Sequence, residues 1–376
     1  MKKSLYFFCG LIALGAGSLR AQNQPGEPDA RWSPQQAQQW VAEHPWTAGC
    51  NYLPSTAVNQ LEMWQADTFD PATIDRELGW AHGLGFNSVR VFLHDLAWSQ
   101  DPTGFLARMD QFLAIADRHQ VSVLFVIFDS CWNPFPHAGK QLAPTHGVHN
   151  SQWVQSPGKV ILTDAAAHGG LEAYVKTVLQ RFAGDRRIIG WDLFNEPNNS
   201  NGRSYRAVET PFKAEYAQIL LTEVFAWARS VHPSQPLTAG VWDGDWTRPE
   251  KWSPINRFML THSDIVSFHC YSALPVMQQR VAALAALGRP LFCTEYMARP
   301  QESRFETILP FLKDHHVAAY NWGFIEGKSQ TNFPWDSWAK PYPGQPPEWF
   351  HDVLHADGTP YRPAETDFLR RILAAR

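Results

Sequence analysis

Short apolar runs alternate along the chain with longer stretches in which apolar residues recur every three or four positions. The runs lie near residues 48–53, 88–93, 121–128, 188–194, 236–241, 265–270, 290–295 and 318–324. Each is short enough for a strand and mostly lacks polar alternation, the pattern of strands covered on both faces. Between them, 74–84, 105–118, 171–182, 212–231, 276–287 and 305–314 carry the period of amphipathic helices, and 363–375 closes the series. Strands that alternate with helices predict a parallel sheet with crossover helices. Eight such units favour a closed (β/α)8 TIM barrel over an open doubly wound sheet.

Two connections are too long to be turns. Residues 129–168 follow the third run and are rich in His, Pro, Gly and Asn; residues 325–361 follow the eighth and hold Trp335, Trp338 and Trp349. Long loops in compact domains are usually functional or disordered. Both leave the C-terminal ends of strands, where barrel enzymes build their sites. No internal repeat, charge block or low-complexity linker interrupts the chain, so residues 46–376 read as one catalytic domain.

The N-terminus has a different pattern. Met1-Lys2-Lys3 is followed by an apolar, small-residue stretch over 5–19 and a cleavage-like Ala21-Gln22, which predicts a signal peptide over 1–21 and a secreted or periplasmic protein. That stretch is too short to favour a membrane span, and no later one is long enough. Residues 22–45, polar and marked by Pro25, Pro28 and Pro34, read as a lead-in. Cleavage removes Lys2, Lys3 and Arg20 and no acid, so the net charge moves from −4 to about −7. A mildly acidic surface argues against nucleic acid or anionic membrane as a partner. Cys50, Cys131, Cys270 and Cys293 remain, too few and too dispersed for a disulfide scaffold or a zinc site, and they read as buried thiols.

The candidate chemistry lies at two strand ends. Trp191-Asp192-Leu193-Phe194-Asn195-Glu196-Pro197 is an apolar strand stopped by a proline, which leaves Glu196 at its mouth. Leu291-Phe292-Cys293-Thr294-Glu295-Tyr296 puts a second carboxylate at the end of the seventh strand. In an eight-stranded barrel the fourth and seventh strands face each other, so the two glutamates can meet across the opening. A carboxyl pair is what glycoside hydrolysis requires, one group to protonate the leaving oxygen and one to attack or activate water.

With these motifs the chain resembles glycoside hydrolase clan A, and within it the cellulase-like family 5. The resemblance covers the mature chain in strand order, from Gly49-Cys50-Asn51-Tyr52 to the strand carrying Trp322. It implies a retaining β-glycosidase with Glu196 as acid/base and Glu295 as nucleophile, acting on a poly- or oligosaccharide. It further implies that Asn195 binds the sugar 2-hydroxyl and that Arg90, in Asn87-Ser88-Val89-Arg90, lies beneath the nucleophile. Tyr271, in His269-Cys270-Tyr271, would contact that nucleophile, and Trp322 would floor the site. His94 and Trp242 are candidates for sugar contact, as are Trp132, Trp153, Trp246, Trp335 and Trp338; Lys328 and Gln330 are candidates for selecting a substituent. No His-Glu-x-x-His, calcium loop, phosphate loop or Gly-x-Ser-x-Gly occurs, so the expected chemistry calls on no metal or other cofactor. Transglycosylation at the same site and a carbohydrate-binding barrel without catalysis are the alternatives. The long loops predict a narrow pocket and action on short substrates or chain ends.

Overall fold

A computed structural model describes residues 31–374; the predicted signal peptide lies outside them. Eight parallel strands form the barrel: β1 (Ala48–Asn51), β2 (Ser88–Phe92), β3 (Ser122–Val126), β4 (Ile188–Asp192), β5 (Leu237–Thr238), β6 (Val266–His269), β7 (Leu291–Tyr296) and β8 (Ala318–Asn321). Hydrogen-bonded neighbours run β5-β4-β3-β2-β1-β8-β7-β6. The ring closes between β5 and β6 where β5 has already lost regular pairing. There Val241 N donates to Ser267 O (3.1 Å) and His269 N to Val241 O (3.0 Å), while the Thr238 hydroxyl reaches Ile265 O at 2.9 Å. Gly240 packs close to Ser267 at this seam, and a side chain there would stand only 3.1 Å from the Ser267 hydroxyl.

Helices cover the outside, and their sequence signals are local. Pro102–Arg118 starts with proline at its first position and an Asp101 cap on Gly104 N (2.9 Å), then buries Phe105, Met109, Phe112, Leu113 and Ala116 along one stripe. The unit between β5 and β6 also has its helix, Pro254–His262, which the apolar periodicity did not pick out. It is only nine residues long and is announced by Ser253-Pro254.

The described part of the lead-in contains a helix of its own. Pro34–Ala42 is a helix with a complete capping box between Ser33 and Gln36. Its Trp40 and Val41 pack on Leu124, Ile189, Ile265, Phe292, Ala318 and Tyr320, which lie toward the N-terminal ends of the strands. Arg31 and Trp32 fasten it further, through Ser263 O (2.6 Å) and Asp264 Oδ1 (2.8 Å). The segment therefore stoppers the barrel floor and leaves the opposite end free.

Candidate active site

Arg90, on β2, points into the barrel and is fully buried. It donates five hydrogen bonds to four acceptors. Nε and Nη2 donate to Asp192 Oδ2 (3.0 and 2.7 Å), Nη1 to Asn51 Oδ1 (2.8 Å) and Glu295 Oε1 (2.8 Å), and Nη2 to Asn195 Oδ1 (2.7 Å). One planar cation thus connects β1, β4, the turn after β4 and β7. Burial alone would lower its pKa, but Asp192 and Glu295 outweigh that and raise it, so the guanidinium is a permanent charge in this site.

Glu295 lies near the end of β7, and its second oxygen accepts the Tyr271 hydroxyl at 2.6 Å. Glu196 stands four residues beyond β4 with φ +41°, a left-handed conformation that a non-glycine residue adopts at a cost of about 1–3 kcal/mol. Its Oε1 is 2.8 Å from His269 Nδ1, and its Oε2 accepts from Asn199 Nδ2 at 2.7 Å and faces Cys131 Sγ at 3.3 Å. His269 Nδ1 is also 3.4 Å from Glu295 Oε2. Each of Glu196, His269 and Glu295 brings one atom within 4.8 Å of the other two. Two carboxylates and an imidazole could also attract a cation, but the Arg90 guanidinium already occupies one oxygen of Glu295.

Burial dominates the electrostatics. It pushes His269 down to about 4, against the pull of Glu295, so the imidazole is neutral at neutral pH. It raises both carboxyls. On Glu196 the donors Asn199 and Cys131 offset it in part, and on Glu295 His269, Arg90 and Tyr271 do so while Glu196 opposes them. Two carboxyls this close in a dry site cannot both ionise freely. The groups that favour ionisation differ between them: Arg90 and Tyr271 touch Glu295, whereas Asn199 and Cys131 touch Glu196.

These groups line a cavity of about 480 Å³ with Cys131, Asn150, Trp242, Trp322 and Trp335, within the roughly 300–1,000 Å³ common for small-ligand sites. Beyond Trp322, towards β1 and β2, the space is filled. Phe92 and Trp153 each stand edge-on to the Trp322 ring at 5.7 Å, and the remaining void of about 20 Å³ has room for about one water. Above it, the loops after β3 and β8 are clipped together. Gln330 accepts from Gly147 N (3.1 Å) and donates to Thr145 O (2.7 Å) and Val148 O (3.0 Å). Trp338 stacks on Trp132 at 5.5 Å and meets Tyr205, from the loop after β4, at 5.4 Å.

The family model for Cellulase (glycosyl hydrolase family 5) matches residues 60–340. The chain belongs to that family. It is accordingly a glycoside hydrolase, with a saccharide as its substrate. Solved structures of similar fold include a GH5_18 protein from Bifidobacterium longum subsp. infantis (15% identity, TM-score 0.58, 88% of this chain and 78% of that one). A GH5_18 protein from Streptomyces cattleya in complex with Manβ1-4GlcNAc shares 16% identity (TM-score 0.56, 88% and 80% covered). The exo-β-1,4-mannosidase Op5Man5 from Opitutaceae bacterium strain TAV5 shares 16% (TM-score 0.55, 88% and 59% covered). No curated protein sequence matches the chain.

In this family 5 hydrolase the structure brings Glu196, Glu295, Asn195, His269, Tyr271, Trp242 and Trp322 to one cavity, with Arg90 beneath it. Three candidates go elsewhere. His94 is wholly buried as the N-cap of the helix Asp95–Gln100, its Nδ1 accepting from Leu96 N at 3.1 Å. Lys328 sits outside the cavity on Glu62, at 2.8 Å. Its neighbour Gln330 is a loop clip rather than a cavity residue. Of the loop tryptophans, Trp132, Trp242 and Trp335 line the cavity, whereas Trp153, Trp246 and Trp338 do not. The four cysteines are free and buried. Residues that the sequence reading passed over include Asp192, Asn51, Asn199 and Asp129. Asp129 accepts from Asn195 Nδ2 (2.9 Å), Trp153 Nε1 (2.6 Å), Gln60 Nε2 (3.1 Å) and Cys131 N (3.0 Å). Burial still raises it to about 6. Asp192 stood inside the motif already singled out, and an acid in an apolar strand was its signal.

Proposed function

We propose that the chain is a retaining, exo-acting β-glycosidase in which Glu295 is the nucleophile and Glu196 the acid/base. The observation that carries this is the shared cavity: the two carboxyl groups approach within 4.8 Å, and only one of them holds Arg90 and Tyr271. Retention needs carboxyls about 5–5.5 Å apart, whereas inversion needs about 6.5–9.5 Å to fit a water between sugar and base. Glu295 attacks the anomeric carbon as Glu196 gives its proton to the departing oxygen, leaving a glycosyl ester. Glu196 then takes a proton from water, which opens the ester. Asn195, oriented by Arg90 and Asp129, meets the 2-hydroxyl, and Trp322 carries the apolar face of the sugar.

Exo action is supported by the packing beyond Trp322, which leaves no room for a second sugar on that side. The structural neighbours make β-mannosides the first sugar to offer. Export is part of the same reading and is supported by the leader pattern over residues 1–21. The test is a panel of 4-nitrophenyl β-glycosides of mannose, glucose, xylose and galactose. NMR of the first product should show the retained anomer, and a 2-fluoro glycoside should label Glu295. An inverted product, or a label on another residue, overturns the assignment.

A further inference from the structure

Cys131 stands in the loop after β3, buried at the wall of the catalytic cavity. Its sulfur makes polar contacts of two kinds. Asn199 Nδ2 and Asn195 Nδ2 donate to Sγ at 3.4 and 3.7 Å, whereas Sγ itself faces Glu196 Oε2 at 3.3 Å. Each amide places its other N–H on a carboxylate, Asn199 on Glu196 Oε2 (2.7 Å) and Asn195 on Asp129 Oδ1 (2.9 Å). A thiol has one proton to give. With two N–H groups turned towards the sulfur, that proton has Glu196 as its acceptor. The sulfur is also fixed in place. Cys131 N donates to Asp129 Oδ1 (3.0 Å), and Ser130 binds the turn after β4 through Asn195 O (3.2 Å) and Pro197 O (2.9 Å). Phe92, Val126, Trp153 and Trp322 pack around the thiol. Burial, with Glu196, Asp129 and Glu295 nearby, pushes it well above the usual thiol range, so it keeps its proton at neutral pH.

We propose that Cys131 is a positioning residue for the acid/base, its thiol holding the Oε2 side of Glu196 and lending the ionised carboxyl a weak donor; the proposal rests on the glycosidase reading above. Oε2 accepts from both Asn199 and the thiol, so the proton that Glu196 gives up is carried on Oε1, the oxygen beside His269. An S–H is a weaker donor than an O–H. It steadies the carboxylate that forms as the leaving oxygen takes the proton, yet it favours that form too little to remove the proton beforehand. A hydroxyl at this place would favour it more, and a bare methyl group not at all. Arg90, Asp129, Asp243, His269, Tyr271 and Glu295 are the titratable and charged groups around Glu196. None of them hydrogen-bonds the sulfur. They form a background shared by any variant at position 131, so a change in the titration of Glu196 reads the sulfur.

The experiment follows kcat/KM against pH, on a glycoside with a poor leaving group, for the wild type, Cys131→Ala and Cys131→Ser. Loss of the donor disfavours ionised Glu196, so Cys131→Ala should move the alkaline limb up by about half a pH unit, less than loss of an amide donor would because the thiol is weak. Cys131→Ser keeps a donor and should return the limb to the wild-type position or below it. On the plateau, Cys131→Ala should lose about fivefold in kcat/KM with the poor leaving group and stay within about twofold with a good one, which departs without an acid. A melting curve checks that each variant is folded. In the wild type alone, the infrared S–H stretching band should shift with pH along the same titration as the alkaline limb, a reading that no folding defect of a variant can disturb. A limb unmoved by Cys131→Ala, a limb moved equally by both substitutions, or an S–H band indifferent to pH across that limb would overturn the role of Cys131 while leaving the glycosidase reading intact. A wild type that cleaves no glycoside would instead remove the glycosidase reading, and the role with it.

Discussion

Asn199 offers the sharpest probe of the proposed division of labour between the two glutamates. Its Nδ2 donates to Glu196 Oε2 at 2.7 Å, and the acceptor is buried. A hydrogen bond to a charged group contributes about 1.5–3 kcal/mol, and it does so only while the carboxyl is ionised. Asn199→Ala removes that preference. Cys131 Sγ remains at 3.3 Å from the same oxygen and His269 Nδ1 at 2.8 Å from the other, so the loss falls at the lower end, about 1.5 kcal/mol. The sign is set by which form loses its partner: the ionised form is disfavoured, so Glu196 holds its proton to higher pH. An acid that must be protonated to act defines the alkaline limb of kcat/KM, and that limb should move up by about one pH unit, since one unit corresponds to about 1.4 kcal/mol. The acid limb, set by Glu295, should stay where it is. The assay is kcat/KM against pH on a glycoside with a poor leaving group, where proton donation limits the rate. An unmoved alkaline limb, or displacement of the acid limb instead, would refute the roles given to the two carboxyls.

Three further outcomes follow from the same geometry. Glu196→Ala should lose far more activity on poor leaving groups than on good ones and recover in part with azide, whereas Glu295→Ala should be inactive on both; steady-state rates across a leaving-group series check this. Glu365→Ala strands the fully buried Arg299, which Glu365 holds through two bonds of 2.7–2.8 Å, and should destabilise the fold by about 3–5 kcal/mol in chemical denaturation. Gln330→Leu cuts three bonds to the loop after β3, so limited proteolysis within 137–150 should accelerate and KM should rise more than kcat falls. A product profile adds one more check: single sugars released from chain ends from the earliest time points, without internal cuts.

The barrel was legible because its signals are local. Apolar runs near 88–93 and 318–324 did become β2 and β8, and the stripe over 105–118 became the greater part of the helix Pro102–Arg118. The strands end earlier than the runs because the apolar residues continue into the barrel mouth, as Leu193 and Phe194 do, still buried but past regular pairing. Glu196 and Glu295 were legible for the same reason, since each closes its own strand motif. What the sequence could not supply is the part of their company that comes from the loop after β3. Cys131 and Asp129 reach Glu196 and Asn195 only because the loop after β3 folds back over the strand ends. His94 failed as a site residue because a histidine at a helix start can satisfy the backbone locally, and Lys328 because Glu62 lay nearer. The capping box at Ser33 was in plain view, but the reading of that segment went no further than its polarity.

The helix that stoppers the barrel floor also decides how this molecule would stand on a surface. Arg31, the first described residue, is fastened beside Ser263 and Asp264, at the end of the barrel remote from Glu196 and Glu295. A resin, a display anchor or a fused partner attached ahead of it would therefore grip the underside. The mouth would face outward into the medium, and a long saccharide could thread in without meeting the support. A tether at the other pole would have to be placed by design, and it would compete with the substrate for the same approach.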